Sequence, residues 1–293
     1  MKLDPPASDY LEPMQETPSL IHPPSAWHDW YNAAVYQSFI DEFPVYPWLN
    51  RQLAAKARLA EASRILDLAC GTGATALGCL PEMHRDAQLV GIDSSLPMVE
   101  IARAEVRDPR CRFVVGDARR LAQYVSGCFD RAVCNAAFWQ LEETRLVLAE
   151  LARVLCEGAG FIFSIPSSYL AETKSPVHPF QVALARRLQT AGLRERGTHA
   201  CFHSIGALIE LLESEGFRTH DVTEAHYRGR QKELVDLMRI PAMAEAMSDR
   251  ASEADRHEAI TQAVEGIDLE QEVTVSWTFI ETHILQAKVA QSS

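Results

Sequence analysis

The residues best placed to do chemistry are three aspartates, a pair of glycines and an asparagine. In Ile65-Leu-Asp-Leu-Ala-Cys-Gly-Thr-Gly-Ala-Thr-Ala76, an apolar run holding Asp67 leads through Ala69 into Gly71 and Gly73. Small residues at such a turn let the backbone approach a ligand, and a helix opening just after it offers unpaired N–H groups and the positive end of its dipole. The next apolar run, Val90-Gly-Ile-Asp93, ends in a carboxylate suited to accept two hydrogen bonds from a ribose diol. A third ends in Val114-Val-Gly-Asp117-Ala118 and a fourth in Phe129-Asp-Arg-Ala-Val-Cys-Asn135. If these runs are parallel strands of one sheet, their ends converge on one crevice.

The surrounding pattern supplies such a sheet. From Ser63 onward, short apolar runs alternate with helical stretches, which is the signature of βα units. The runs predict strands at 64–69, 88–92, 111–115, 129–134 and 160–165, with later strands at about 217–227 and 273–279. Ser95 caps a helix reaching about Val106, and Leu148, Leu151 and Leu155 lie on one face of a helix that Gly158 ends. Ser204 caps another, with Ile205, Leu208, Ile209 and Leu212 inward and Gly216 as its stop. The fold class is α/β, a doubly wound and mostly parallel sheet.

Residues 1–26 hold six of the fifteen prolines and read as a flexible tail. Residues 27–60 read as an aromatic helical cap broken at Pro44 and Pro47, and 61–293 as the main domain. Two inserts interrupt its rhythm. One spans 167–202, with a helix at about 180–191; the other spans 230–270, helical and broken at Pro241.

With 28 Lys plus Arg against 40 Asp plus Glu, the net charge of −12 repels nucleic-acid backbones and anionic lipid surfaces. No run of 18 apolar residues exists to span a bilayer, and residues 1–10 are acidic and proline-containing where a secretion signal is basic then apolar. The seven cysteines stand singly, without a CxxC pair or a zinc spacing, and read as mostly reduced core residues of a cytoplasmic protein that holds no metal.

Two cofactors suit a strand, a glycine turn and a ribose-binding acid: a dinucleotide or an adenosyl compound. Gly71, Gly73 and Ala76 satisfy a loose GxGxxA pattern. Asp67, just ahead of the glycines, would repel a pyrophosphate and suits a cationic ligand better.

The segment Asp67-Leu-Ala-Cys-Gly-Thr-Gly, with Asp93, Gly116-Asp117-Ala118 and Phe129-Asp130, resembles the class I S-adenosylmethionine-dependent methyltransferases. The resemblance covers about 63–166, and more loosely 203–227 and 273–287. It implies a seven-stranded sheet, S-adenosyl-L-methionine as cofactor and S-adenosyl-L-homocysteine as product. It places the methionine part on the backbone around Ala69, Gly71 and Gly73, the ribose on Asp93 and the adenine amino group on Asp117. Ser94, Leu96, Met98 and Ala118 line the nucleoside. Family members usually have glycine where this chain has Ala69. Those that methylate amides or nucleobase amines share an Asn/Asp-Pro-Pro-Tyr/Phe motif; Asn135-Ala-Ala-Phe138 keeps its ends and loses both prolines, which argues against those substrates. Asn135 is then either a neighbour of the methyl group or a turn former.

In-line methyl transfer requires alignment and exclusion of water, hence a lid, which the cap and both inserts could form. Tyr36, Phe138 and Trp139 could face a sulfonium or a planar substrate. As general base, His178, His199, His203 and His226 are candidates, with His28 behind them. Arg228 and Arg230 could neutralise an acidic substrate, although closely spaced basic residues after a strand are usually solvated. The reading is methylation of a small metabolite or natural product on O, N or C. An adenosylmethionine-binding cyclase or scaffold, and an NAD(P)-dependent oxidoreductase, are the alternatives. The oligomeric state is open, a homodimer included.

Overall fold

The computed structural model describes residues 25–170, 178–193, 202, 204–246, 248 and 250–285. His199, His203 and Cys201 lie outside the described residues. After a short turn at Ser25–His28, two helices open the described part, α1 (Trp30–Glu42) and α2 (Val45–Lys56). Next come β1 (Arg64–Leu68), α3 (Ala74–Cys79), β2 (Gln88–Asp93), α4 (Leu96–Glu105), β3 (Cys111–Val115) and β4 (Phe129–Cys134). After them run α5 (Thr144–Val154), β5 (Leu155–Pro166), α6 (Pro179–Thr190), α7 (Ile205–Ser214) and β6 (Phe217–Arg230). The second insert forms α8 (Gln231–Met238), α9 (Pro241–Glu245) and α10 (Glu253–Val264), and β7 (Glu272–Ile284) closes the fold.

The seven strands form one sheet in the order β3-β2-β1-β4-β5-β7-β6. The first five are parallel, and β7 runs antiparallel between β5 and β6. Central strands are buried on both faces, as the continuous apolar runs require: Ile65 packs under the cap, Leu66 on the opposite face. The direction of winding reverses between β1 and β4, where a crevice opens outside the strand ends.

The capping residues act as their types dictate. Asp29 accepts from the N–H groups of Tyr31 (2.8 Å) and Asn32 (3.1 Å), Ser95 from Met98 and Ser204 from Ala207. Three expectations are corrected. Helix α5 stops at Val154, because Leu155 already pairs with Phe129; Gly158 lies inside β5 instead of ending a helix. Pro47 sits in the first turn of α2, where its missing N–H costs nothing, so only Pro44 marks the break. Of the inward residues of α7, Leu208 and Leu212 are fully buried, while Ile205 and Ile209 are half-buried.

Cys128 and Cys156 form a disulfide, which corrects the reduced reading for this pair. The β4–β5 register brings these distant residues together at the strands' starting edge, away from the crevice. Cys70, Cys79, Cys111 and Cys134 are free.

The cap is sewn to its neighbours. Asn32 Oδ1 accepts from Ala242 N of α9 (2.9 Å), Glu245 from Ala26 N (3.1 Å), and Ser95 Oγ donates to the carbonyl of Trp27 (2.7 Å).

Candidate functional site

A cavity of about 390 Å³ occupies the crevice. Its floor is the turn after β1, the ends of β2 and β4 and residues 116–119; its roof is Trp27, His28, Tyr36, Tyr46, Asn50 and Met243.

The turn carries three left-handed residues in five: Ala69 (φ 55°), Gly71 (51°) and Gly73 (85°). A Cβ on Gly71 would meet nothing nearer than the Tyr36 ring at 4.0 Å, so its bare backbone faces open space. Gly73 serves packing instead: it does not line the cavity, and a Cβ there would stand 2.8 Å from Val106 Cγ2 at the C-terminal end of α4 and 3.2 Å from Ala102 Cβ. Ala69 takes the path a glycine would take, at a cost of about 1–2 kcal/mol.

Asp93 anchors this turn to β2. Its Oδ2 accepts from Gly71 N (3.0 Å) and its Oδ1 from Ser95 N (2.9 Å), leaving lone pairs on each oxygen for a ligand. Burial raises its pKa, against the pull of those two N–H groups. Ser94, Met98 and Ala118 line the same end of the cavity; Leu96 is half-exposed and does not, which corrects its placement.

Asp117 also lines the cavity, but its carboxylate is committed. Oδ1 accepts from Arg119 N (2.8 Å), and the guanidinium approaches both oxygens at 2.9–3.1 Å. This pairing holds the Asp117 carboxyl below the usual range. Arg119 continues to Glu143 (2.8 Å) and Glu142 (3.5 Å) and lines the cavity itself, a residue the sequence reading missed.

Asp67 is not on the cavity wall. It is 0% exposed, and among the described residues neither carboxylate oxygen has a hydrogen-bond partner. Burial, reinforced by Asp93, pushes its pKa well up, so the expected direct contact with a cation is not formed by the chain as it stands.

Asn135 reaches the cavity at the end of a buried polar chain. Ala136 N donates to Ser164 Oγ (2.9 Å), Ser164 Oγ donates to Asn135 Oδ1 (2.5 Å), and Asn135 Nδ2 donates to Asn50 Oδ1, which also accepts from Thr75 Oγ1 (3.2 Å). Asn50, Thr75, Tyr46 and Met243 were not anticipated as wall residues; they come from the cap, α3 and the second insert, without a local motif.

The candidate bases fare differently. Tyr36 lines the cavity, but burial pushes its pKa well up and that of Tyr46 to about 12, so both phenols stay protonated at neutral pH. His178 precedes α6, is buried and does not line the cavity; burial lowers its pKa. It is corrected to a structural position, because α6 packs with α8 and α10 around Phe180, Val235 and Ile260. His226 bonds Ser276 (2.8 Å) outside the cavity, and His28, ranked lowest, is on its rim. Phe138 and Trp139 are core, the first 4.0 Å from the Phe163 ring and the second 4.6 Å from Tyr169. Arg230 pairs with Glu270, and Arg228 is exposed outside the cavity.

Comparison with known proteins agrees with this geometry. Residues 65–158 match the family model described as "Methyltransferase domain". A demethylmenaquinone methyltransferase of Thermus thermophilus is 36% identical over 138 residues, covering 42% of this chain and 62% of that protein. A trans-aconitate 2-methyltransferase of Azoarcus sp. is 33% identical over 194 residues, covering 58% of this chain and 74% of that protein. The chain belongs to the class I S-adenosylmethionine-dependent methyltransferase family. Among solved structures, the [4+2]-cyclase SpnF shares this methyltransferase fold with a TM-score of 0.51 at 21% identity, over 80% of each chain. The match spans less than two thirds of the length of the demethylmenaquinone relatives, 53–63% in three of them.

The residues present fit the family's cofactor. The Gly71 turn leaves a Cβ-sized opening beside Tyr36, Asp93 has lone pairs in reserve, and Thr72 Oγ1, on the wall, is buried without a partner among the described residues. Among the described residues no cluster could hold a metal ion, and no helix is long and apolar enough to cross a membrane.

Proposed function

We propose that this methyltransferase moves a methyl group from S-adenosyl-L-methionine to a small-molecule acceptor. The observation that carries the reading is one cavity running from the glycine turn and Asp93 to Asn135 beneath an aromatic roof. When bound, the cofactor supplies an electrophilic methyl on a sulfonium, whose S–C bond breaks as the acceptor's lone pair forms the new bond. Asp93 takes the ribose diol, and the backbone of residues 69–72 takes the amino-acid end. Met98, Ala118 and the Asp117–Arg119 pair flank the base. The cap covers one side of the cavity, and alignment of the acceptor there contributes several kcal/mol, on the order of an effective-molarity gain. The relatives' names, which specify two small-molecule acceptors, support this class.

Calorimetric titration with S-adenosyl-L-homocysteine tests it. Micromolar binding that Asp93→Ala abolishes is the expected result; no binding, with NADH binding instead, would sink it. Cofactor bound but never consumed across acceptor screens would mark a protein that binds without transferring.

A further inference from the structure

We infer that the cap side of the cavity is a subsite for an uncharged, planar acceptor bearing a hydroxyl or carbonyl oxygen, oriented by the side-chain amide of Asn50. This deepens the methyl-transfer reading and rests on it.

The first argument is charge. Among the described residues, neither the cap nor the second insert contributes a Lys or Arg to the cavity wall. The one guanidinium there, Arg119, is already shared among Asp117, Glu142 and Glu143. Asp93, Asp117 and Glu142 also line the cavity, so its fixed charges repel an anion. A polycarboxylate entering under the roof would lose its hydration with no free Lys or Arg among the described residues to replace it, and only the imidazole of His28 at the rim.

The second argument is shape and surface. Trp27 meets Tyr36 edge to face at 5.6 Å, Tyr36 meets Tyr46 at 5.7 Å, and Met243 adds a pliable apolar contact from α9. Both phenols keep their protons, so this aromatic part of the roof carries no charge.

The third argument is the direction of the buried polar chain. A backbone N–H can only donate, so Ala136 N obliges Ser164 Oγ to accept. The Ser164 hydroxyl hydrogen then goes to Asn135 Oδ1, which turns the Asn135 amide nitrogen toward Asn50 Oδ1. Thr75 Oγ1 donates to that same oxygen. Asn50 is thereby held with its oxygen accepting twice and its Nδ2 without a partner among the described residues, although the residue is only 3% exposed. On a cavity wall, a fixed and unused donor matches an acceptor oxygen of the ligand.

The experiment loads the full-length protein with S-adenosyl-L-homocysteine and titrates 1-naphthol, naphthalene and trans-aconitate by calorimetry. We expect 1-naphthol to bind at least tenfold more tightly than naphthalene, which lacks the oxygen, and at least tenfold more tightly than trans-aconitate. Asn50→Asp, which keeps the accepting oxygens and loses the donor, should weaken 1-naphthol at least tenfold and change homocysteine-product affinity less than threefold. The wild-type comparison of naphthol with naphthalene stands even if that variant does not fold. Absence of naphthol binding, equal binding of naphthalene or tighter binding of trans-aconitate overturns the inference while leaving the methyltransferase reading intact. Equal loss of both ligands in Asn50→Asp assigns the amide to the cofactor and also overturns it. Failure of the wild type to bind S-adenosyl-L-homocysteine removes the function reading itself.

Discussion

The two walls of the cavity are built in opposite ways. The strand-end wall is local: Ala69, Gly71 and Asp93 follow within three consecutive elements, and their work is done largely by backbone geometry and one carboxylate. The roof is assembled from residues far apart in the chain, Tyr36 and Asn50 from the cap and Met243 from α9, held by side-chain packing and by bonds such as Asn32 to Ala242. A local wall tolerates little variation because its backbone path is shared by several contacts. A composite roof can change its chemistry by one side chain while the strand-end wall stays put.

The sharpest way to break this comparison is at Asp93. Asp93→Ala removes a carboxylate that holds two backbone N–H groups and is placed to take a diol. S-adenosyl-L-homocysteine affinity should drop more than a hundredfold, about 3 kcal/mol, in calorimetry. If affinity survives, the local wall does not bind through this strand end.

Gly78→Ala attacks the roof from beneath. A Cβ at Gly78 would lie 2.6 Å from Asn50 Cβ and 3.4 Å from its backbone carbonyl carbon, so α2 must move off α3. Overpacking of this kind costs about 1–3 kcal/mol in thermal unfolding. The acceptor KM should rise more than the cofactor Kd; equal changes would mean that the two walls are not separable.

Asp67→Asn probes the sealed carboxyl. Its folded pKa is raised, so the folded state binds more protons than the unfolded state above about pH 4. The Asp67 contribution is therefore fully present below that pH and is lost as pH rises toward the folded pKa. Urea unfolding across pH 4–8 should show a decline in the wild type that Asp67→Asn flattens. Parallel profiles would show that the carboxyl titrates normally.

The smallest effect is expected at Ala69→Gly. Relief of the left-handed alanine, about 1–2 kcal/mol, is partly offset by the freer unfolded chain, about 0.4–1 kcal/mol. A net gain of about 0.5 kcal/mol in Tm measurements, with cofactor affinity unchanged, would identify the strain as incidental to binding.

The same division explains what could be read from the sequence. Strand runs and the Ala69-to-Asp93 segment were legible because period, turn chemistry and spacing are local signals, and the observed strands fall within a few residues of the expected ones. Asn50 was not legible: nothing near it in sequence announces that α2 delivers it against Thr75 and Asn135. His178 looked available because it follows a strand end, yet the apolar face of α6 buries against α8 and α10 and carries it away from the crevice. Phe138 misled for a related reason. Its place after β4 suggested a ligand contact, but the short turn there aims the ring at Phe161 and Phe163. The Cys128–Cys156 pair depended on register between neighbouring strands, which single cysteines cannot announce.

One small bond ties the two walls together. Ser95, whose N–H is held by Asp93, donates its hydroxyl to the Trp27 carbonyl, so the roof hangs from a residue that Asp93 itself holds. Asp93, Ser95 and Trp27 thus form one hydrogen-bonded line from floor to roof, so a shift at the end of β2 is felt at the aromatic wall.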